Sequence, residues 1–181
     1  VIKGCVPMKK KVIVGMSGGV DSSVAALLLK EQGYEVIGVT METWDAPGAE
    51  SVAEDAKRVA DVLEIPHYVV DFRDVFREKV VNYFINEYEQ GRTPNPCLVC
   101  NRYVKWEALL HRSAQIGCDY IATGHYGRIV QCSNGRFSVA KSDSVGKDQS
   151  YVLYNLTQRE LSKTLFPLYE YDKQENSKQS S

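Results

Sequence analysis

Val12-Ile13-Val14 runs directly into Gly15-Met16-Ser17-Gly18-Gly19-Val20-Asp21-Ser22-Ser23, and a helical pattern over 21–32 follows. Three consecutive branched apolar residues predict a strand buried on both faces. Val24, Leu27 and Leu28 give the next stretch an apolar face at helical spacing, and Gly33 ends it. The turn between strand and helix suits an anion. Glycines let the backbone turn tightly and bring its N–H groups against a phosphate with no side chain in the way. The helix N-terminus adds unsatisfied donors and a partial positive charge, and Ser17, Ser22 and Ser23 add hydroxyls. The plainer alternative is a strand–helix turn capped by Ser or Asp; the complete string after a buried strand favours the phosphate site. No Lys follows the glycines, which excludes a Walker loop.

Outward from this unit the pattern repeats. Strands are predicted over 35–40, 67–71 and 120–123, and helices over 51–64, 74–89 and 101–116. The helix over 74–89 carries Val75, Phe76, Val80, Phe84 and Tyr88 as its apolar residues. Strands alternating with helices of this length predict an α/β fold with a doubly wound parallel sheet. Ligands then collect at the carboxyl ends of the strands, after Val14, Thr40 and Thr123. Residues 127–140 differ: Ser133-Asn134-Gly135 between two apolar runs predicts a small β-hairpin extension. Short helices are expected over 148–156 and 158–164. The domain is expected over 9–168, with 1–8 as a leader and 169–181 as a polar, disordered tail.

The chain has 181 residues, enough for one full core and too few for two large domains. No apolar run approaches the roughly 18 residues of a membrane span, and no secretory signal is expected, since residues 1–8 are short and are followed by Lys9-Lys10-Lys11. Five cysteines, an odd number, fit a reducing cytoplasm in which thiols serve catalysis or metals. The net charge of -1 marks no nucleic-acid binder globally. Locally, Arg92, Arg102, Lys105 and Arg112 oppose only Glu107, a patch that suits RNA phosphates or simply a solvated helix face.

Three further segments stand where ligands are expected. Met41 follows the second strand, at a place for backbone contact with adenine. Gly91-Arg92-Thr93-Pro94-Asn95-Pro96-Cys97-Leu98-Val99-Cys100-Asn101 reads as a proline-stiffened loop presenting two thiols just before a helix. The helix end and Arg92, Arg102 and Lys105 are expected to lower a thiol pKa there. Ala122-Thr123-Gly124-His125-Tyr126 ends the fourth strand, and Gly146-Lys147-Asp148-Gln149-Ser150-Tyr151 is expected to open a helix.

The string SGGVDSS resembles the pyrophosphate loop of the ATP pyrophosphatases, an adenine nucleotide alpha hydrolase-like, Rossmann-like fold. That resemblance implies that ATP is split between its α and β phosphates to activate a substrate carbonyl, with Mg²⁺ and with Asp21 near the metal or the pyrophosphate. Together with GRTPNPCxxCN, ATGHY and GKDQSY in this order, it resembles the tRNA-specific 2-thiouridylase family. Similarity runs from about Lys10 to Leu168. By resemblance, Gly15, Met16, Ser17, Gly18, Gly19, Val20, Asp21 and Ser22 bind the phosphates of ATP, and Met41 and Gly124 contact adenosine. Asn95, Pro96 and Cys97 meet the target base of tRNA, and His125, Lys147, Asp148 and Gln149 meet tRNA elsewhere. Cys100 matches the catalytic cysteine. A protein persulfide is the implied sulfur donor.

Many family members carry Asp where this chain has Cys97. The resulting Cys-x-x-Cys has three readings: a reversible disulfide, part of an iron–sulfur or zinc site completed by further ligands, or one working thiol beside a passive neighbour. Two cysteines cannot complete a four-ligand site. The family's second catalytic cysteine lies downstream of KDQSY, and Cys118 and Cys132 do not match its motif; Cys118 is expected in the core and Cys132 in the hairpin. The chain is therefore expected to be the ATP-activating N-terminal part of such an enzyme. The alternative is an adenine-nucleotide-binding fragment or paralogue that does not thiolate tRNA.

Overall fold

A computed structural model describes residues 9–45, 49–144 and 146–171. The expected leader and residues 172–181 of the expected tail lie outside the described residues. Residues 169–171 pack against the fold: the Tyr169 carbonyl accepts from Asp143 N–H at 2.9 Å and from the Ser142 hydroxyl at 2.7 Å.

The elements are β1 (Lys11–Gly15), α1 (Val20–Glu31), β2 (Glu35–Glu42), α2 (Ala49–Val62), β3 (His67–Asp71), helix α3 over 73–89, helix α4 over 96–115, β4 (Tyr120–Thr123), β5 (Arg128–Gln131), β6 (Phe137–Ala140), α5 (Gln158–Leu161) and β7 (Thr164–Leu165). Within α3 the turns over Arg77–Val81 widen to π type, and within α4 those over Asn101–Ala108 do the same. Five strands form one parallel sheet in the order β3-β2-β1-β4-β7, and β5 pairs antiparallel with β6.

The alternation along β1 explains the two layers of helices. Val12 and Val14 point to one face and pack with Ala26 and Leu29 of α1 and Ala56 and Ala60 of α2. Ile13 points to the other, against Trp106 and Leu109 of α4. All are buried, as the period of two in a strand covered on both sides demands. Trp106 is fully buried and donates its indole N–H to Thr164 Oγ1 at 2.9 Å, so its one polar atom costs nothing to bury.

Four expectations need correction. The helix expected from 101 begins at Pro96: Pro is favoured at the first helical position, where its missing N–H is not needed, and Asn95 caps it by accepting from Leu98 N–H at 3.4 Å. The stretch 148–156 holds only a 3₁₀ turn, Ser150–Val152, because Asp148 draws the N–H and hydroxyl of Ser150 into a local turn. The helix expected over 158–164 stops at Leu161, and Thr164-Leu165 becomes the edge strand β7 beside β4. On α3, Val80 is buried but Phe84 and Tyr88 are exposed, their rings edge to face with centres 4.8 Å apart rather than packed into the core.

Candidate functional site

The sheet order reverses beside β1: β2 lies on one side and β4 on the other, so the crossovers part at their carboxyl ends. A cavity of about 350 Å³ opens there, within the range of small-ligand sites. Gly15, Met16, Ser17, Asp21 and Ser22 line it from the loop after β1, Thr40, Met41 and Thr43 from the end of β2, and Thr123, Gly124 and His125 from the end of β4. Cys100 and Lys105 reach it from α4, and Gln149 from the segment before the 3₁₀ turn.

The first intrahelical bond of α1 runs from Ser23 N–H to the Gly19 carbonyl at 3.2 Å. The N–H groups of the first turn are thus directed out of the helix, the usual source of an anion site. Ser22 Oγ accepts from Ser17 N–H at 3.2 Å and donates to the Gly19 carbonyl at 3.0 Å, holding the loop in its curl. Thr40 Oγ1 donates to the Met16 carbonyl at 2.9 Å and lies 2.9 Å from His67 Nε2, so β2 anchors the loop's first turn. Gly18 has φ +72°, and a Cβ there would stand 2.8 Å from Asp55 Cβ. Only glycine lets the loop pass under α2.

Of the residues expected to bind phosphate, Gly15, Met16, Ser17, Asp21 and Ser22 line the cavity, whereas Gly18 and Val20 face a groove between α1 and α2. Gly19 is the N-cap of α1. The Met16 side chain is buried in the core, leaving its backbone for the site. Met41 and Gly124, the residues expected at adenosine, both line the cavity.

Asp21, the cavity's carboxylate, accepts from the Tyr126 hydroxyl at 2.7 Å. Tyr126 in turn is locked to Gln149: its N–H donates to Gln149 Oε1 at 3.0 Å, and Gln149 N–H donates to its carbonyl at 2.7 Å. The Lys147 ammonium sits 5.2 Å from the Tyr126 ring centre. One buried tyrosine therefore ties the GKDQSY segment to the first turn of α1. Tyr126→Phe is expected to keep the fold and to weaken ATP·Mg²⁺ binding about three- to ten-fold, the scale of one hydrogen bond to a charged group. Isothermal calorimetry checks this.

His125 lies half-buried against Trp106, with ring centres 5.4 Å apart, and its Nδ1 is 2.8 Å from Thr123 Oγ1. Burial, helped by Lys105, lowers its pKa to about 3. It is neutral at physiological pH and offers the cavity a hydrogen bond rather than a charge.

The two thiols part company. Cys97, in the first turn of α4, is exposed and does not line the cavity; Cys100 is half-buried and does. The widened turns that follow put Cys100, Val104 and Lys105 on one face, all lining the cavity, where an ordinary α-helix aligns i with i+3 and i+4. The expected lowering of the thiol pKa is overturned for Cys100: burial raises it, Lys105 opposes the rise and Cys97 adds to it. Its thiolate is thus scarcer at neutral pH than that of free cysteine. Alkylation of Cys100 by iodoacetamide is expected to rise with pH from 7 to 9 and to lag well behind exposed Cys97; peptide mass spectrometry over time measures both.

Asn95 and Pro96, at the start of α4, do not line the cavity, and neither do Lys147 and Asp148. Sequence reasoning missed Thr40, Thr123 and Tyr126 as site-builders. The Tyr126–Asp21 contact spans 105 residues of chain and has no local signature. Among the described residues no group of three or more His, Cys, Asp or Glu side chains is placed to hold a metal ion, so Cys97 and Cys100 form an incomplete donor set for an iron–sulfur cluster. No described helix is long and apolar enough to cross a membrane.

The model of the tRNA methyl transferase HUP domain family matches residues 10–181. The chain belongs to this family. The tRNA-specific 2-thiouridylase MnmA of Lachnoclostridium phytofermentans is 60% identical over 177 residues, covering 92% of this chain and 50% of that protein. The chain thus spans about half the length of the curated relatives it matches. Among solved structures, a 4-thiouridine synthetase–RNA complex with bound ATP shares the fold, with a TM-score of 0.61 at 18% identity over 94% of this chain and 40% of that one. The U34-tRNA thiolase NcsA from Methanococcus maripaludis, solved with its [4Fe-4S] cluster, gives a TM-score of 0.50 at 26% identity over 65% of this chain and 39% of that one.

Proposed function

We propose that this chain is the ATP-binding, uridine-activating part of a tRNA 2-thiouridylase. The observation that carries the reading is one cavity lined by both the loop after β1 and the Cys100 thiol. Such a cavity suits a reaction in which an adenylyl group is transferred, with loss of pyrophosphate, beside a sulfur nucleophile. The relatives' name and the family membership support the same reading.

In this reading Gly15–Ser22 hold the phosphates of ATP through backbone N–H groups, with Mg²⁺ entering alongside the nucleotide near Asp21. Gly18, Gly19 and Val20 act by shaping the loop, and Met41 and Gly124 border adenosine. The C2 oxygen of the wobble uridine attacks the α-phosphorus, and pyrophosphate leaves. Sulfur from a cysteine persulfide attacks C2, and AMP departs with the original oxygen. Cys100 as thiolate attacks the carrier cysteine's sulfur, forming a disulfide and freeing the sulfur bound to C2; a dithiol reductant then restores both cysteines. Asn95, Pro96 and Cys97 meet the base, and Lys147, Asp148, Gln149 and neutral His125 meet the rest of the tRNA. A partner protein supplies the persulfide.

Incubation with unmodified tRNA, ATP·Mg²⁺ and a persulfide donor, followed by nucleoside analysis, tests this. The expected product is 2-thiouridine. Nucleotide binding with neither pyrophosphate nor 2-thiouridine released would instead make the chain a nucleotide-binding fragment.

A further inference from the structure

Beyond the cavity, the most unusual surface lies where the β5–β6 hairpin meets the segment after GKDQ. Tyr151 is 67% exposed and Tyr154 70%, while Val152 and Leu153 between them are buried. Tyr151 lies in the 3₁₀ turn Ser150–Val152 and Tyr154 just past its end, and both line the same groove. They border a groove of about 380 Å³ walled by Phe137 and Val139 of β6. The groove is rigid: Phe137 N–H donates to Gln158 Oε1 and Gln158 Nε2 donates to the Phe137 carbonyl, both at 2.8 Å.

Charge singles out the same region. Residues 1–90 hold 10 Lys+Arg against 15 Asp+Glu, and residues 91–163 hold 10 against 5. The acids near the groove are engaged: Asp143 pairs with Arg128, Asp148 takes hydrogen bonds from Ser142 and Ser150, and Glu160 is buried in the capping box of α5. Arg136 and Arg159, each next in the chain to the Phe137–Gln158 clasp, are exposed and form no ion pair among the described residues. The groove also adjoins the start of α4, because the carbonyl of Asn155 accepts from Arg102 at 2.7 Å and its amide reaches the Leu98 carbonyl at 3.4 Å.

We propose that this groove is a stacking platform for unpaired bases of the RNA substrate, with Tyr151 and Tyr154 as the aromatic faces and Arg136 and Arg159 on the flanking phosphates. It rests on the reading of the chain as a tRNA-modifying domain and extends it to a surface outside the reacting cavity. Two exposed aromatic rings, with exposed arginines next in the chain to the groove residues Phe137 and Gln158, offer what single-stranded RNA needs: π-faces for bases and charge for the backbone. Asn155, next in the chain to Tyr154, bonds Leu98 and Arg102, so the platform adjoins the helix that begins at Pro96 and carries Cys100 into the cavity.

Fluorescence anisotropy with a labelled, unmodified tRNA transcript at 50 to 200 mM salt tests the platform. The Tyr151→Ala/Tyr154→Ala variant is expected to bind about ten-fold or more weakly than the parent, and Tyr151→Phe/Tyr154→Phe within about two-fold of it. Arg136→Ala/Arg159→Ala is expected to reduce the slope of log affinity against log salt by about 1.4, the value for two phosphate contacts to a single strand. All three are expected to melt as the parent does, since the substituted side chains are exposed. Unchanged tRNA affinity in the Tyr→Ala variant would overturn the platform and leave the enzyme reading standing. So would a lowered melting temperature without loss of RNA binding, which would mark the groove as a protein-packing surface. A parent chain that binds ATP·Mg²⁺ but no tRNA would overturn both.

Discussion

Cys100→Ser is expected to abolish 2-thiouridine formation, by at least about a thousand-fold on the scale of losing a nucleophile, while tRNA-dependent release of pyrophosphate continues. The thiol lines the cavity and the substitution is nearly isosteric, so neither nucleotide binding nor the α4 start is disturbed. What disappears is the sulfur atom that attacks the persulfide. Cys97→Ser is expected to cost less than about ten-fold, because that thiol is exposed and lies outside the cavity. Quantifying 2-thiouridine and pyrophosphate in the same reactions separates the two halves of the chemistry. Loss of pyrophosphate release in Cys100→Ser would place the thiol in the activation step instead.

Gly124→Ala carries the second large effect. A Cβ at Gly124 would stand 2.8 Å from Asp21 C and Ser22 N and 3.0 Å from the Asp21 carbonyl oxygen. These are backbone atoms, and no rotamer relieves the clash. The end of β4 and the first turn of α1 must separate, at a cost of about 1–3 kcal/mol for overpacking, and ATP affinity is expected to fall at least about ten-fold as the N–H groups move. Gly15→Ala is the informative contrast. Its Cβ would meet Met41 Cε and Thr123 Cγ2 at 3.7 Å, ordinary contact, so the folded chain is expected to keep its stability while the methyl group occupies space beside the nucleotide. Denaturant melts with and without ATP·Mg²⁺ read both quantities. Equal stability loss in the two variants would contradict the packing argument.

Much of this was legible in the sequence, and for physical reasons. Val12-Ile13-Val14 needs cover on both faces whatever its partners, so a buried parallel strand follows from three side chains. The Gly15–Ser22 turn is a local object whose shape depends on its own glycines and serines. Pro94-Asn95-Pro96 misled because proline both breaks a helix interior and favours a helix start, and composition alone does not separate the two. β7 is two residues long and exists only because β4 offers it an edge. The Cys100 thiol is the sharpest failure. Neighbouring cations are visible in the sequence, but the burial that outweighs them is created by packing among residues far apart in the chain. The hydroxyl of Tyr126 on Asp21 was invisible for the same reason.

The central claim, that this crevice activates the uridine C2 oxygen with ATP, is tested most directly by following that oxygen. A tRNA transcript carrying ¹⁸O at C2 of the wobble uridine is incubated with the chain, ATP·Mg²⁺ and a persulfide donor, and the nucleotide products are analysed by mass spectrometry. The account predicts pyrophosphate together with AMP that carries the ¹⁸O on its phosphate, one for each 2-thiouridine formed. ADP and phosphate as products, or 2-thiouridine accompanied by AMP without the label, would contradict it.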